Sequence, residues 1–397
     1  MTEFPGTPPV AIVQSGRRGP VPSPLLWPSA FYFFAFAAYA AVFPFLALYY
    51  QSLGFSGGQV GLLLSVPPLM SLIASPLWTG LADAGHRHRA VLAIAILTST
   101  AGMAAMPWLR AFPTIFVAIV AIALLSAPVM ALADTATLSM LGHERDRYGR
   151  VRLWGTIGWG LAAPLAGQVL ERNGLPWMFG IYSGLMILSL LTVSRLRFSL
   201  SASSTPLGRG LLMLLADRRW ILFMAAVLVT SVALAGQTNF LSILLEGMGA
   251  TKTFMGIALT LSTVSELPVM FFSPWLLRRF RPLGLLFLAM GTSGLRALLY
   301  FLAGGPDVVL GIQVLHGLTF PALWVAGVTY AAENAPPGLS ATAQAVFGSV
   351  LMGLGASAGS LISGFLMDGL GIRGMYGVTG AAVMLSVVIL LILERRG

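Results

Sequence analysis

The chain has 397 residues, of which 57% are hydrophobic and 9% are charged, and it contains no cysteine. Soluble domains carry roughly 25% charged residues, so the composition excludes an ordinary soluble protein, and the lack of cysteine excludes disulfides and thiolate metal sites. The net charge of +10 would suit a nucleic-acid partner, but the basic residues lie between long apolar runs. We therefore expect a helical membrane protein that binds no nucleic acid.

The first 24 residues are rich in proline and carry Arg17 and Arg18. They lack the apolar core and small-residue cleavage site of a signal peptide. We expect residues 1–24 to form a disordered cytoplasmic tail.

Apolar runs of about 20 residues, the length that crosses a bilayer, follow one another from Leu25 to Leu393. The sequence predicts twelve spans, over about residues 25–52, 59–82, 90–109, 113–138, 148–170, 176–195, 218–245, 252–277, 283–302, 307–333, 339–368 and 373–393. With the N-terminus inside, 17 of the 23 basic residues fall in cytoplasmic segments. This bias predicts cytoplasmic termini, and we expect a bacterial-type inner membrane.

A serine-rich stretch, "SLSASSTPLGRG", lies in the widest gap between predicted spans. A faint repeat, "ASPLWTGLAD" (74–83) against "FSPWLLRRF" (272–280), supports a division of the chain at this gap. Transporters are often built from such repeats, with a site between the halves. We expect an all-α fold of two pseudo-symmetric six-helix bundles, 25–197 and 218–393, joined by a cytoplasmic linker, 198–217.

The loop after the second predicted span reads "TGLADAGHRHR" and contains Asp83, Arg87 and Arg89. An acidic residue followed by basic residues can form an ion pair between helices, so we predict an Asp–Arg conformational latch that holds the two halves together on the cytoplasmic side. A solvated turn that only sets the topology is an equal alternative.

The fourth and fifth predicted spans carry Asp134 and Arg152 at similar depth, and charges inside spans are functional candidates. Antiparallel neighbouring helices would bring them together as a bidentate pair. Trp159 follows Arg152 by seven residues, on the same helical face and about 10 Å deeper. The pair could instead be structural, and Trp159 could be a packing or interface aromatic.

Glu266, Arg296 and His316 fall near the middle of the eighth, ninth and tenth predicted spans. A carboxylate, a guanidinium and an imidazole at one depth predict a proton-responsive cluster. Arginine effectively never deprotonates, so Glu266, His316 or Asp134 would carry the proton. The alternative for His316 is a hydrogen bond to a neighbouring helix.

No phosphate-binding loop and no metal-binding helix motif occurs in the sequence. The "GASAG" stretch (355–359) lies inside an apolar span, where small residues let helices approach closely. We therefore expect neither an enzyme nor a bound cofactor or metal.

These residues resemble the major facilitator superfamily, and within it the lactose-permease and phenylpropionate-permease branches. The resemblance runs from "AVFPFLALYY" (41–50) to "GFLMDGLG" (364–371). It implies substrate binding by Asp134, Arg152 and Trp159, and substrate or proton handling by Arg296 and His316. The loop 79–89 is a degenerate form of the superfamily's signature.

The chain departs from the lactose-permease pattern where that branch keeps its other buried charges. Thr319 stands in place of the carboxylate that carries the proton, and Gln313 stands in place of a lysine. The phenylpropionate-permease branch also has a threonine after the histidine. This likeness implies that coupling without that carboxylate is feasible.

Together these features predict a secondary transporter that moves a small polar solute by alternating access, as a proton symporter and a monomer in the lipid membrane. A sugar or glycoside is the first expectation for the substrate, because Asp134, Arg152 and Trp159 suit a hydroxylated ring. The alternatives are an aromatic carboxylate, a nucleoside, export of amphipathic compounds or lipids, and a non-transporting scaffold.

Overall fold

The computed structural model describes residues 25–198, 214, 217–336 and 339–395. The predicted tail, 1–24, lies outside the described residues, as does most of the predicted linker, 198–217. Within the described ranges the chain is helical and contains no strand.

The α-helices are α1 Leu26–Val42, α2 Leu46–Ser52, α3 Gly57–Ala84, α4 His88–Ala105, α5 Phe112–Ser126, α6 Val129–Leu141, α7 Tyr148–Asn173, α8 Trp177–Val193, α9 Arg218–Asn239, α10 Leu241–Gly247, α11 Lys252–Phe271, α12 Ser273–Leu302, α13 Pro306–Ile312, α14 Phe320–Glu333, α15 Ser340–Gly348 and α16 Ala356–Arg395. Short 3₁₀ segments cover Phe43–Phe45, Met106–Trp108, Arg145–Arg147 and Gln313–Leu318, and a π-helical segment covers Ser349–Gly355.

Nine helical segments of the described chain are long and apolar enough to cross a membrane. One of them, Ser340–Leu393, is 54 residues long and bends at Gly371, whose φ is 71°, between the eleventh and twelfth predicted spans. The less apolar α7 and the shorter α8 coincide with the fifth and sixth predicted spans. The all-helical membrane fold is confirmed, and the count of twelve stays a prediction.

Several spans are interrupted at the depth of the membrane. Pro44 lies in the 3₁₀ turn between α1 and α2, and Gln313–Leu318 separates α13 from α14 just before Pro321. Proline removes a backbone donor, so the helix tightens or breaks beside it. Irregular backbone at this depth is tolerated where protein or a cavity surrounds it.

The N-terminal half (25–198) and the C-terminal half (217–395) meet along two helix pairs, α3 with α16 and α7 with α11. We call the side with residues 53–56, 174–176 and 248–251 the far face, and the side with residues 85–87, 142–147 and both ends of the described chain the terminal face. The pairs pack most tightly towards the far face. A Cβ on Gly61 would lie 2.5 Å from the carbonyl oxygen of Ser360, so only glycine permits this approach.

Hydrogen bonds also join the halves near the far face. Asp368 accepts from the backbone N–H groups of Gly57 and Gly58, at 2.5 and 2.7 Å. Glu171 accepts from the backbone N–H of Lys252 at 2.5 Å. A carboxylate at the N-terminus of α3 is well placed, because the first N–H groups of a helix lack intrahelical partners.

Candidate functional site

A cavity of about 470 Å³ lies between the two halves. This volume falls in the range of small-molecule sites, roughly 300–1,000 Å³. Its lining mixes aromatic, polar and ionisable side chains from both halves: Phe36, Thr156, Trp159, Ser231, Leu234, Ala235, Gln237, Thr238, Asn239, Leu241, Leu259, Ser262, Thr263, Glu266, Arg296, Gln313, His316, Phe320, Leu351, Met352 and Ala356.

The N-terminal half brings Asp134 and Arg152 together from α6 and α7. Nη1 of Arg152 donates to Oδ1 of Asp134 at 2.9 Å. The same oxygen accepts from the hydroxyls of Tyr32, at 2.5 Å, and Tyr148, at 2.9 Å. The predicted bidentate geometry was wrong, because one carboxylate oxygen receives all three donors and Arg152 offers only one nitrogen.

This arrangement leaves polar atoms of the pair without protein partners. Within the described ranges, Oδ2 of Asp134 accepts no hydrogen bond and Nη2 of Arg152 donates none. The side chains are 35% and 38% exposed, and the guanidinium lies 5.4 Å from the ring centres of both Tyr32 and Phe36. Cation–π contacts of this kind orient a guanidinium, so the unpaired donor and acceptor atoms of the pair are fixed in direction.

Trp159 lies in the cavity wall beside Phe36 and Thr156. Asp134 and Arg152 are not among the lining residues that the structure describes, but Arg152 contacts Phe36, which is. The pair therefore flanks the cavity on the side of the terminal face, next to Phe36 of the cavity wall.

The C-terminal half brings Glu266, His316 and Arg296 into one chain of contacts. Nη1 of Arg296 lies 2.9 Å from Nδ1 of His316, and Nε2 of His316 lies 3.0 Å from Oε1 of Glu266. A guanidinium can only donate, so Nδ1 accepts and the imidazole proton lies on Nε2, where it donates to Glu266. This assignment of the tautomer follows from the network of hydrogen bonds. The neutral imidazole thus separates the guanidinium from the carboxylate.

Two amide side chains complete the surroundings of Arg296, whose exposed fraction is 2%. Nη2 donates to Oε1 of Gln313 at 2.7 Å, and Nη1 approaches Oε1 of Gln237 at 3.4 Å. The guanidinium also lies 5.3 Å from the ring centre of Tyr300. Gln313 therefore accepts a hydrogen bond from Arg296, a role that its place at the position of a lysine did not predict.

The backbone near His316 explains its position. His316 lies in the 3₁₀ segment Gln313–Leu318, where Gly317 donates its N–H to Oγ of Ser265 at 3.0 Å. A Cβ on Gly317 would collide with the carbonyl oxygen of Ser265, so glycine is required for this approach. Thr319, at the position of the expected carboxylate, is fully buried and donates to the carbonyl oxygen of His316 at 2.7 Å.

Several site residues were missed in the sequence. Tyr148 is four residues before Arg152, a spacing that places both on one helical face, and this signal could have found it. Gly317 and Pro321 in the stretch "HGLTFP" could have indicated that the helix is interrupted near His316. Tyr32 and Gln237 reach the site from distant helices, and no local pattern marks them.

The predicted latch has different partners in the structure. Asp83 pairs with Nε2 of His88 at 2.6 Å, and Nη2 of Arg89 donates to the carbonyl oxygen of Leu196 at 2.7 Å. The prediction of an Asp83 ion pair with Arg87 or Arg89 was wrong. The turn at His86, whose φ is 51°, folds the first residue of α4 back over Asp83, so the nearer imidazole takes the contact. Both contacts lie within the N-terminal half.

Among the residues that the structure covers, no group of His, Cys, Asp or Glu could hold a metal ion. The two clusters described above combine a carboxylate with a guanidinium or an imidazole.

Helices long and apolar enough to cross a membrane, arranged in two halves around a cavity with polar and ionisable residues in its lining, are the architecture of an integral membrane secondary transporter. The family described as "MFS_1 like family" matches residues 25–378. The chain belongs to this family, which is one of transporters of the major facilitator type and not of enzymes.

Named relatives agree with this class. The chain is 28% identical over 371 residues to "Maltose permease" of Geobacillus stearothermophilus, across 92% of this chain and 93% of the relative. It is 25% identical over 350 residues to "Putative nucleoside transporter YegT" of Escherichia coli (strain K12), across 81% and 80%. The likeness to the lactose-permease branch stays a prediction.

A solved structure of the nucleoside transporter NupG superposes on this chain with a TM-score of 0.83, at 16% identity, across 94% of this chain and 99% of that chain. This likeness shows the fold alone.

Proposed function

We propose that this transporter is a proton symporter of a small hydroxylated ring compound, with a sugar or glycoside as the favoured substrate. The observation that carries the proposal is that Oδ2 of Asp134 and Nη2 of Arg152 have no protein partner within the described ranges, next to the aromatic wall of the cavity. A carboxylate oxygen and guanidinium N–H groups can accept from and donate to adjacent hydroxyls of one ring.

In this proposal the N-terminal half binds the solute. Asp134 and Arg152 bind ring hydroxyls, and Trp159 stacks on the apolar face of the ring. Tyr32 and Tyr148 are positioning residues, because their hydroxyls hold Oδ1 of Asp134 and leave Oδ2 to the solute. Arg296 contributes a second, deeper donor from the other half.

The C-terminal half handles the proton. His316 cannot take a proton on Nδ1 without losing its contact with Arg296, since both groups would then be donors. Glu266 has no such restriction, so the proton binds to Glu266. Its arrival cancels the negative charge that faces the imidazole, and the resulting change in the Glu266–His316 contact alters the packing of α11 against the Gln313–Leu318 segment.

Transport requires the cavity to open towards each face in turn. Because the two halves pack tightly near the far face, we infer that the cavity opens towards the terminal face in this conformation. If the termini are cytoplasmic, as the distribution of basic residues predicts, this is the inward-facing state. The outward-facing state then requires separation of α3 from α16 and of α7 from α11.

The likeness to a maltose permease over nearly the whole of both chains supports the sugar class. A nucleoside is the second candidate, because it combines ribose hydroxyls with a flat base. The cavity offers Trp159, Phe36 and Phe320 for such a base, and the relative YegT is named a putative nucleoside transporter.

Proteoliposome uptake under an imposed pH gradient tests the proposal. The panel contains mono- and disaccharides, nucleosides and aromatic carboxylates, each at the same concentration. We expect accumulation of a sugar only when the gradient is directed inward, and its loss with a protonophore. Accumulation of aromatic carboxylates alone, export alone, or no movement of any solute would contradict it.

A further inference from the structure

A second cavity, of about 550 Å³, lies inside the C-terminal half and away from the transport cavity. It is bounded by the ends of four helices at the terminal face: the start of α9, the part of α12 after Arg281, the end of α14 and the end of α16. Its lining consists of Asp217, Arg218, Arg219, Leu222, Phe223, Ala226, Leu283, Leu286, Phe287, Tyr330, Asn334, Leu390 and Leu393.

The apolar and the charged residues of the lining occupy different parts of the cleft. The inner wall is apolar, with Phe223, Ala226 and Leu286 buried and Phe287 half-buried. The charged side chains come from the exposed first residues of α9. Such a cleft matches an amphiphile, with its polar group at the rim and its hydrocarbon inside.

The rim is basic and its arginines are available. Within the described part of the chain, the side chains of Arg218 and Arg219 form no ion pair. The one acid in the lining, Asp217, already accepts from the backbone N–H of Arg219 at 2.9 Å. Arg281, exposed at the bend of α12, adds a third positive charge beside Leu283.

We propose that this cleft binds an anionic phospholipid, with the headgroup phosphate on Arg218 and Arg219 and an acyl chain against Phe223, Ala226 and Phe287. Basic pockets between transmembrane helices recognise anionic headgroups in this way, and guanidinium–phosphate hydrogen bonds are charge-assisted and specific in geometry.

The position of the cleft connects this lipid to the transport site. The helices around it, α9 and α12, carry Gln237 and Arg296, and α14 follows the 3₁₀ segment that carries His316. A lipid wedged between their ends holds these helices together during the transport cycle. The lipid is therefore a stabilising ligand of the C-terminal half.

Binding is tested with purified full-length protein in neutral detergent, by thermal unfolding and by native mass spectrometry. The probes are phosphatidylglycerol, phosphatidylethanolamine and inorganic phosphate. We expect phosphatidylglycerol to raise Tm and to remain bound as a discrete adduct. The double variant Arg218→Gln with Arg219→Gln should bind it roughly 10- to 30-fold more weakly, since two basic contacts are lost.

The matched control is Arg278→Gln with Arg279→Gln, which removes two adjacent exposed arginines from the same half and the same face. This control should retain the wild-type response. A second variant, Leu222→Trp, fills the cleft without changing charge and should also lose the adduct.

Equal responses in the wild type, both double variants and Leu222→Trp would show non-specific lipid binding and overturn the proposal. A Tm rise with inorganic phosphate equal to that with phosphatidylglycerol would also overturn it, in favour of a free-anion site. Should the Arg218/Arg219 variant fail to fold, the response of Leu222→Trp decides: an unchanged adduct overturns the proposal.

Discussion

Each half of the molecule places a cluster of charged side chains at or beside the cavity, and the two clusters are built differently. In the N-terminal half, Asp134 contacts Arg152 directly and both are more than one-third exposed. In the C-terminal half, Arg296 is almost fully buried, and His316 separates it from Glu266.

In the proposed function, this difference corresponds to a solute-binding role for the N-terminal cluster and a proton-carrying role for the C-terminal one. In this proposal, the direct and partly exposed pair offers its remaining polar atoms to a solute. A buried guanidinium that contacts only neutral groups leaves its carboxylate free to change protonation state without breaking an ion pair. Breaking a direct buried pair is strongly destabilising, and the interposed imidazole is the reason that we propose Glu266, and not a partner in a direct pair, as the proton carrier.

The largest effect is expected at the C-terminal cluster, where a substitution should abolish the proposed proton-carrying role. Glu266→Gln keeps the shape and the hydrogen-bond acceptor but cannot change charge, so accumulation driven by the pH gradient should be lost while solute exchange persists. Uptake and exchange in proteoliposomes measure both. The control Glu333→Gln changes an exposed carboxylate on α14 and should behave as the wild type, and gradient-driven accumulation by Glu266→Gln would place the proton elsewhere.

The second effect concerns the N-terminal pair. Arg152→Lys keeps the charge but loses the planar set of donors, and transport should fall roughly 10- to 100-fold, the equivalent of one hydrogen bond to a charged group. Initial rates of uptake measure the loss. Arg150→Lys, exposed on the same helix, serves as control, and near-normal uptake by Arg152→Lys would exclude the binding role.

A smaller effect is expected at the aromatic wall. Trp159→Ala should weaken apparent solute affinity roughly 2- to 10-fold, the contribution of an aromatic stacking contact, while Trp159→Phe should retain part of it. Solute-dependent shifts in Tm measure affinity directly. Trp154, on the same helix, is 45% exposed and outside the lining of the cavity, so an equal loss in Trp154→Ala would indicate a general effect on folding.

The smallest effect is expected at the far face, where a substitution should favour the conformation in which the cavity opens on that side. The two clusters could then be compared in both conformations. Asp368→Asn removes a charge from the N-terminus of α3 and should increase opening at the far face roughly 2- to 10-fold, given the usual contribution of a helix cap. Because the chain has no cysteine, Thr238→Cys in the cavity wall gives a clean probe for an impermeant maleimide. Unchanged labelling from the far face would argue against a gating role for Asp368.

Much of both clusters could be predicted, because charges inside apolar spans are rare and need partners. Antiparallel neighbouring helices fixed the depth of Asp134 against Arg152, and mid-span positions grouped Glu266, Arg296 and His316. Their geometry could not be predicted. The order Glu–His–Arg depends on the 3₁₀ segment Gln313–Leu318, which is set by contacts with α11.

For the fold as well, the general arrangement could be predicted and the local geometry could not. Apolar length predicted where helices lie, and Gly371 and Arg281 mark bends between predicted spans. The predicted partner of Asp83 was wrong because a turn of three residues placed His88, and not Arg87 or Arg89, beside it. Short-range backbone geometry decided that contact, and residue type alone does not specify it.

Proton movement coupled to solute movement is the central claim, and one measurement tests it directly. Weakly buffered proteoliposomes receive an inward sugar gradient while the external pH is recorded. We expect the external medium to become more alkaline with the wild type and to stay constant with Glu266→Gln. Sugar uptake by the wild type without any change in external pH would contradict the account.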